Sequence, residues 1–249
     1  DDGTWKDMTK MKITTTDLSP TAGQIPRIIG LGLASKLFRE NKELHQYDTL
    51  SNKGNEVVFG TIGDGSTSEG IFLEAINAMG VLQIPVVMSV WDDGHAISVP
   101  VEKQTTKGSI SEALKGFAKE GDSNGIEIIK VRGWNYPELC AAYDKAAKLA
   151  RETHTPVLVH VIELTQPQGH STSGSHERYK SKDRLAWEKE YDCTRQFKKW
   201  ILENNWATEE ELDEVYKNCK KSVKEGRNAA WENYITPLKL ELAEVLSMI

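Results

Sequence analysis

Two acidic turns, Gly63-Asp64-Gly65 and Asp92-Asp93-Gly94-His95, carry the side chains of this sequence best suited to chemistry. Each follows an apolar run, Glu56 to Ile62 and Ile84 to Trp91, and a helix-patterned segment lies between them. Two strands joined by one helix form a βαβ unit, whose strands must run parallel. Ligands of an open parallel sheet sit beyond the carboxyl ends of its strands, and both turns lie there, so Asp64 and Asp93 are expected to be neighbours in space. The glycines flanking Asp64 permit positive φ and a close ligand approach, and Ser66-Thr67-Ser68-Glu69 reads as a capping box opening the helix. A helix N-terminus attracts phosphate, and carboxylates beside it suit Mg²⁺, which takes oxygen ligands and bridges to phosphates. The residues thus describe a metal-bridged diphosphate site.

The elements that position these turns follow the same alternation. An irregular polar start leads through Ser19-Pro20-Thr21-Ala22-Gly23-Gln24-Ile25-Pro26 into an apolar helix ending near Arg39. The helix of the central unit carries Phe72, Ala75, Ile76 and Met79 at core spacing. After Pro100 come a polar loop, a helical stretch from Ile110 to Lys119, and a third strand, Gly125 to Val131, ending at Arg132-Gly133-Trp134. A helix from Pro137 to Glu152 and a fourth strand, Val157 to Leu164, lead to Gln166-Pro167-Gln168-Gly169-His170-Ser171-Thr172-Ser173. From Asp183 onward the pattern is wholly helical, with a second capping box, Thr208-Glu209-Glu210-Glu211, before Leu212, Val215, Tyr216 and Cys219. The expectation is a doubly wound, mostly parallel α/β sheet with helices on both faces over residues 1–180. A C-terminal helical extension over 181–249 packs on it or on a partner.

Composition narrows the class. The chain has 249 residues, 39% hydrophobic and 27% charged, with net charge −6, which describes a globular protein and argues against a nucleic-acid partner. Lys198-Lys199 and Lys220-Lys221 are read as solvated helix faces. Cys140, Cys193 and Cys219 have no metal-ligand spacing and are expected to be reduced, helix-packing residues, which points to a cytoplasmic, reducing setting. No apolar run reaches the roughly 18 residues that cross a membrane. The start, Asp1-Asp2-Gly3, is unlike a signal peptide and suggests a fragment or processed chain.

Taken together, these segments resemble the decarboxylating component of thiamine diphosphate-dependent 2-oxo acid dehydrogenases, alpha-subunit type. In that family GDG is followed about 25 to 30 residues later by Asn-Asn-Gly-Tyr-Ala-Ile-Ser. Here 93 − 64 = 29, and the second turn reads Asp92-Asp93-Gly94-His95-Ala96-Ile97-Ser98. The first segment is similar to the family's Ser-Pro-Leu-Ala-Thr-Gln-Ile-Pro turn, the Gly-His-Ser-Thr-Ser loop to its Arg-x-x-Gly-His-Ser-x-Ser, and "WILENNWATEEELDEV" to its C-terminal region. The family's thiamine diphosphate-binding fold is implied, as are its cofactors, thiamine diphosphate and Mg²⁺.

The resemblance implies Mg²⁺ on Asp64, Asp93 and the His95 carbonyl, and diphosphate on Gly63, Gly65 and Ser66. Cofactor contacts fall to Ser19, Thr21 and Gln24, and His170 touches the cofactor phosphate near the reacting centre. Two departures stand out. Asp93 replaces an Asn and adds a negative charge, and Gln166 replaces an Arg and removes a bidentate phosphate ligand. In the family the cofactor's carbanion attacks a 2-oxo acid such as pyruvate or a branched-chain analogue, CO₂ leaves, and the acyl group passes to a lipoyl arm. The partners implied are a pyrimidine-binding beta-type domain or subunit and a lipoyl-bearing acyltransferase, in a dimer or heterotetramer. The pyrimidine-binding domain is missing from the sequence, so this chain alone is expected to be inactive. A transketolase-type enzyme, or a non-catalytic relative that has lost the cofactor, are the alternative readings.

Overall fold

The computed structural model describes residues 20–170 and 175–248. Strands β1 (Val58–Gly63), β2 (Val86–Trp91), β5 (Glu127–Arg132) and β6 (Val157–Ile162) form one parallel sheet in the order β1-β2-β6-β5. Residues 86–90 of β2 are all buried, as befits an interior strand covered on both faces. Alternation sorts the side chains between two cores. Val86, Met88 and Val90, with Leu158 of β6, face α1 (Ile25–Glu40) and α2 (Gly70–Leu82), where Ile25, Ile28, Phe72, Ile76 and Met79 are buried. Val87, Val157, Val159 and Val161 face α4 (Tyr136–Thr153), which contributes Ala146 and Ala150. The sheet is therefore doubly wound, as expected, and the α2 stripe is core.

Element boundaries differ from the sequence reading by a turn or less at most ends. The expected helix over Ile110 to Lys119 is shorter. A single turn, α3 (Ile110–Ala113), gives way to a 3-10 turn at Lys115–Phe117. A two-residue hairpin, β3 (His95–Ala96) with β4 (Val99–Pro100), follows the second acidic turn. Helices α5 (Lys182–Glu190), α6 (Cys193–Glu203) and α7 (Glu209–Ser247) complete the chain.

The chain divides into two compact units, 1–196 and 197–249, so the first takes in α5. In the second unit the expected capping box forms. The Thr208 hydroxyl accepts from Glu211 N–H and the Glu211 carboxylate from Thr208 N–H. Lys198 pairs with Glu209 and Asp213, and Trp200 meets Trp206 edge-on at 4.4 Å. Two of the three cysteines do not pack a core. Cys140 and Cys219 are exposed, and all three are free thiols.

Candidate functional site

The parallel pairing of β1 with β2 brings the two acidic turns side by side. Gly63 lies opposite Trp91, and Asp64 N–H donates to the Trp91 carbonyl at 3.1 Å. Asp92 is fastened in turn to β6, donating to the Val161 carbonyl at 2.8 Å and accepting from Leu164 N–H at 3.1 Å. Asp64, Asp92 and Asp93 are all buried. Burial, with the Asp92 and Asp93 carboxylates adding to it, pushes the Asp64 carboxyl from 3.8 up to about 7. Its Oδ2 is buried without a hydrogen-bond partner among the described residues.

The first turn is built differently from the capping box expected of it. After Asp64 the chain makes a 3-10 turn, Gly65–Ser68, and α2 begins only at Gly70, with Glu69 as an N-cap whose side chain makes no capping bond. Glu69 therefore stands at the cap position itself and cannot reach back from the third helical residue. The turn is held instead by the Thr67 hydroxyl, which donates to the Asp64 carbonyl at 2.6 Å, and by Gln104. The Gln104 amide donates to the Asp64 carbonyl at 2.8 Å, the Gly65 carbonyl at 3.2 Å and Ser68 Oγ at 3.0 Å.

Neither Gly63 nor Gly65 has positive φ. Gly65 is needed for room, since a Cβ there would lie 2.8 Å from the Ala96 Cβ. The positive φ falls in the second turn, at Gly94 with +80°.

That second turn is held from three sides. Gly94 N–H donates to Asp92 Oδ1 at 2.8 Å and His95 N–H to Asp93 Oδ1 at 3.1 Å. His160 Nε2 lies 2.8 Å from Asp92 Oδ2, and its Nδ1 lies 3.0 Å from Ser111 Oγ. Arg184, from α5, donates through Nη2 to the Asp93 carbonyl at 2.7 Å and through Nε to Glu188 Oε1 at 2.8 Å. Buried Lys180 donates to the same Glu188 oxygen at 2.7 Å. Burial alone would raise the Glu188 carboxyl, but the bonds from Lys180 and Arg184 outweigh it and hold the group below its ordinary range. The His95 ring sits 5.7 Å from that of Tyr179.

The structure thus gathers Gly63, Asp64, Gly65, Ser66, Asp93 and His95 at one end of the sheet. The other candidates are not joined to them by any hydrogen bond among the described residues. Thr21 is exposed in the turn before α1, and Gln24 is the N-cap of α1, its buried Oε1 without a partner among the described residues. His170 is exposed in the loop after β6. Ser19, Ser171 and Ser173 lie outside the described residues. Trp134 packs against Tyr191 at 5.0 Å and donates to Glu163, a structural role.

The braces Gln104, Ser111, His160 and Arg184 were not singled out from sequence. Each meets its turn across a long stretch of chain, and no local spacing signals it. No group of three or more His, Cys, Asp or Glu side chains among the described residues could form a protein-only metal cage. Mg²⁺ does not need one, because it is held by one or two carboxylates, substrate phosphates and water. The unpartnered Asp64 oxygen beside two further carboxylates fits such an ion.

Residues 4–238 match the dehydrogenase E1 component family. This chain belongs to that family. It is 30% identical over 218 residues to the 2-oxoisovalerate dehydrogenase subunit alpha 1, mitochondrial, of Arabidopsis thaliana, covering 86% of this chain and 41% of that protein. It is 30% identical over 174 residues to the pyruvate dehydrogenase E1 component subunit alpha of Rickettsia bellii (strain RML369-C), covering 70% of this chain and 51% of that one. The 2-oxoisovalerate dehydrogenase subunit alpha of Bacillus subtilis (strain 168) is 26% identical over 220 residues, covering 87% and 60%. The chain therefore spans about half the length of these relatives. A transketolase structure from Campylobacter jejuni aligns with a TM-score of 0.43 at 18% identity, over 57% of this chain and 20% of that one. Among the described residues no helix is long and apolar enough to cross a membrane.

Proposed function

We propose that this chain supplies the diphosphate- and Mg²⁺-binding part of a thiamine diphosphate-dependent 2-oxo acid dehydrogenase. The observation that carries the reading is Asp64, a buried carboxylate with one unpartnered oxygen, raised to about 7 by its burial and two neighbouring carboxylates. Such a cluster is relieved by a cation, and the E1 family assignment with alpha-subunit relatives supports a diphosphate as the ion's other ligand.

In this reading Asp64, Asp93 and the His95 carbonyl hold Mg²⁺, while Gly63, Gly65 and Ser66 let the diphosphate approach the backbone. Ser19, Thr21 and Gln24 line the cofactor from the α1 side, and His170 reaches the substrate from its exposed loop. When bound, thiamine diphosphate supplies the carbanion and electron sink that release CO₂ from a 2-oxo acid. This chain's own part is to bind, orient and neutralise.

The domain division proposed is an α/β part over 1–180 that carries the site and a helical part over 181–249 that serves packing or a partner. The remaining pieces come from a pyrimidine-binding beta-type domain or subunit, and the acyl group leaves on a lipoyl-bearing acyltransferase, within a dimer or heterotetramer. The reducing setting proposed for the free thiols is the cytoplasm.

The test is turnover of the chain assembled with a pyrimidine-binding partner. CO₂ release from pyruvate or a branched-chain 2-oxo acid is expected, and none from the chain alone. Transfer from a ketose phosphate in place of 2-oxo acid decarboxylation would contradict the proposal and favour the transketolase-type reading.

A further inference from the structure

Three buried groups form a continuous chain beneath the second acidic turn: Ser111 at the start of α3, His160 on β6, and Asp92. Their separations, 3.0 Å from Ser111 Oγ to His160 Nδ1 and 2.8 Å from Nε2 to Asp92 Oδ2, are those of a nucleophilic triad. Burial rules that use out, because Ser111 is 6% exposed and His160 1%, so no substrate reaches the hydroxyl.

The direction of the hydrogen bonds shows what the arrangement does. Ser111 N–H also points at His160 Nδ1, at 3.4 Å, and a backbone N–H can only donate. Nδ1 is thus the acceptor, the ring proton sits on Nε2, and Nε2–H donates to Asp92 Oδ2. Asp92 Oδ1 is already filled by Gly94 N–H at 2.8 Å. Both Asp92 oxygens are therefore taken by donors inside the protein. Among the described residues, Asp93 spends only Oδ1, on His95 N–H at 3.1 Å. Its backbone carbonyl is fixed separately by Arg184 at 2.7 Å.

We infer that His160 is a positioning residue that divides the labour of the two adjacent aspartates: it commits Asp92 to bracing the turn, which leaves Asp93 as the metal ligand. The inference rests on the Mg²⁺ reading above and extends it to residues outside the ligand set. Gly94, with φ +80°, is the hinge so braced, and the His95 carbonyl follows it by one residue. Without the His160 donor, Asp92 Oδ2 is left unpaired in a buried place beside the ion. Asp92 then competes for the metal and frees the Gly94 N–H, shifting both Asp93 and the His95 carbonyl. Partners of this kind, one layer out from the ligands, typically set metal affinity by about 10–100-fold.

The experiment is titration of Mn²⁺, as a paramagnetic stand-in for Mg²⁺, into the full chain with saturating thiamine diphosphate, followed by electron paramagnetic resonance and by heat. His160→Leu is expected to weaken Mn²⁺ affinity about 10–100-fold and to change the bound-ion spectrum. His160→Gln, whose amide can donate to Asp92, is expected to hold affinity within about threefold of wild type. A side chain that only fills space would show no such rescue, since Gln and Leu would lose affinity alike.

Wild-type affinity and spectrum in a folded His160→Leu chain would overturn the inference while leaving the metal site standing. If His160→Leu does not fold, His160→Gln decides, and a loss in it as large as that of Asp93→Ala would overturn the inference. Absence of Mn²⁺ binding in the wild type would overturn the metal reading itself, and the inference with it.

Discussion

Asp64 and its glycine neighbours show how closely this site is fitted. A Cβ at position 65 would meet Ala96 Cβ at 2.8 Å and its Cα at 3.1 Å, both on a short, tied hairpin. Gly65→Ala is therefore expected to cost about 1–3 kcal/mol in urea unfolding, and Ala96→Gly in the same chain to recover part of it. Equal stability of Gly65→Ala and wild type would contradict the close approach. Gln104 holds the two carbonyls of that turn, so Gln104→Leu is expected to lower cofactor affinity, read by calorimetry, without changing the fold seen by circular dichroism. Asp64 and Asp93 were legible as a pair because Gly-Asp-Gly and Asp-Asp-Gly each end an apolar run, and the parallel rule then makes them neighbours. Gln104, His160 and Arg184 were not, because they reach their turns across 40, 68 and 91 residues. A contact that only the fold creates leaves no spacing to read.

Among the elements, the strands and the long helices were readable where one physical pattern dominated. The unbroken apolar run of β2 marks an interior parallel strand, and the Phe72, Ala75, Ile76, Met79 stripe marks a helix packed on one side. The same cap chemistry succeeded at Thr208 and failed at Ser66. At Thr208 the Glu falls on the third helical residue, whereas the 3-10 turn after Asp64 delays α2 until Glu69 is itself the cap. Thr208→Ala is accordingly expected to cost about 1 kcal/mol of α7 stability, and Ser66→Ala no capping energy, both measured by denaturant midpoint.

A pH effect belongs to the end of α4, where His154 takes left-handed φ of 55° and is nearly buried. Burial, then Arg39 and Lys36, pull its pKa below 6.5. A depressed histidine binds its proton more weakly folded than unfolded. The stability it allows is complete above pH 6.5 and declines as pH falls below that toward the folded pKa. His154→Asn, which tolerates the same backbone, is expected to flatten the loss of melting temperature on acidification. An unchanged slope would remove His154 as its cause.

At the scale of the whole molecule, the α/β unit holds the two turns and their braces, while the chain spans about half the length of its alpha-subunit relatives. The sequence identified the family through the order of its segments. Arg184 of α5, which lies within the first compact unit, donates to the Asp93 carbonyl.

The most direct measurement is calorimetric titration of thiamine diphosphate into the chain with and without Mg²⁺, on wild type and on Asp64→Ala. Binding is expected to require Mg²⁺ in the wild type and to be lost in a folded Asp64→Ala chain. Binding that ignores Mg²⁺, or that survives Asp64→Ala unchanged, would contradict the proposed Mg²⁺ and diphosphate site.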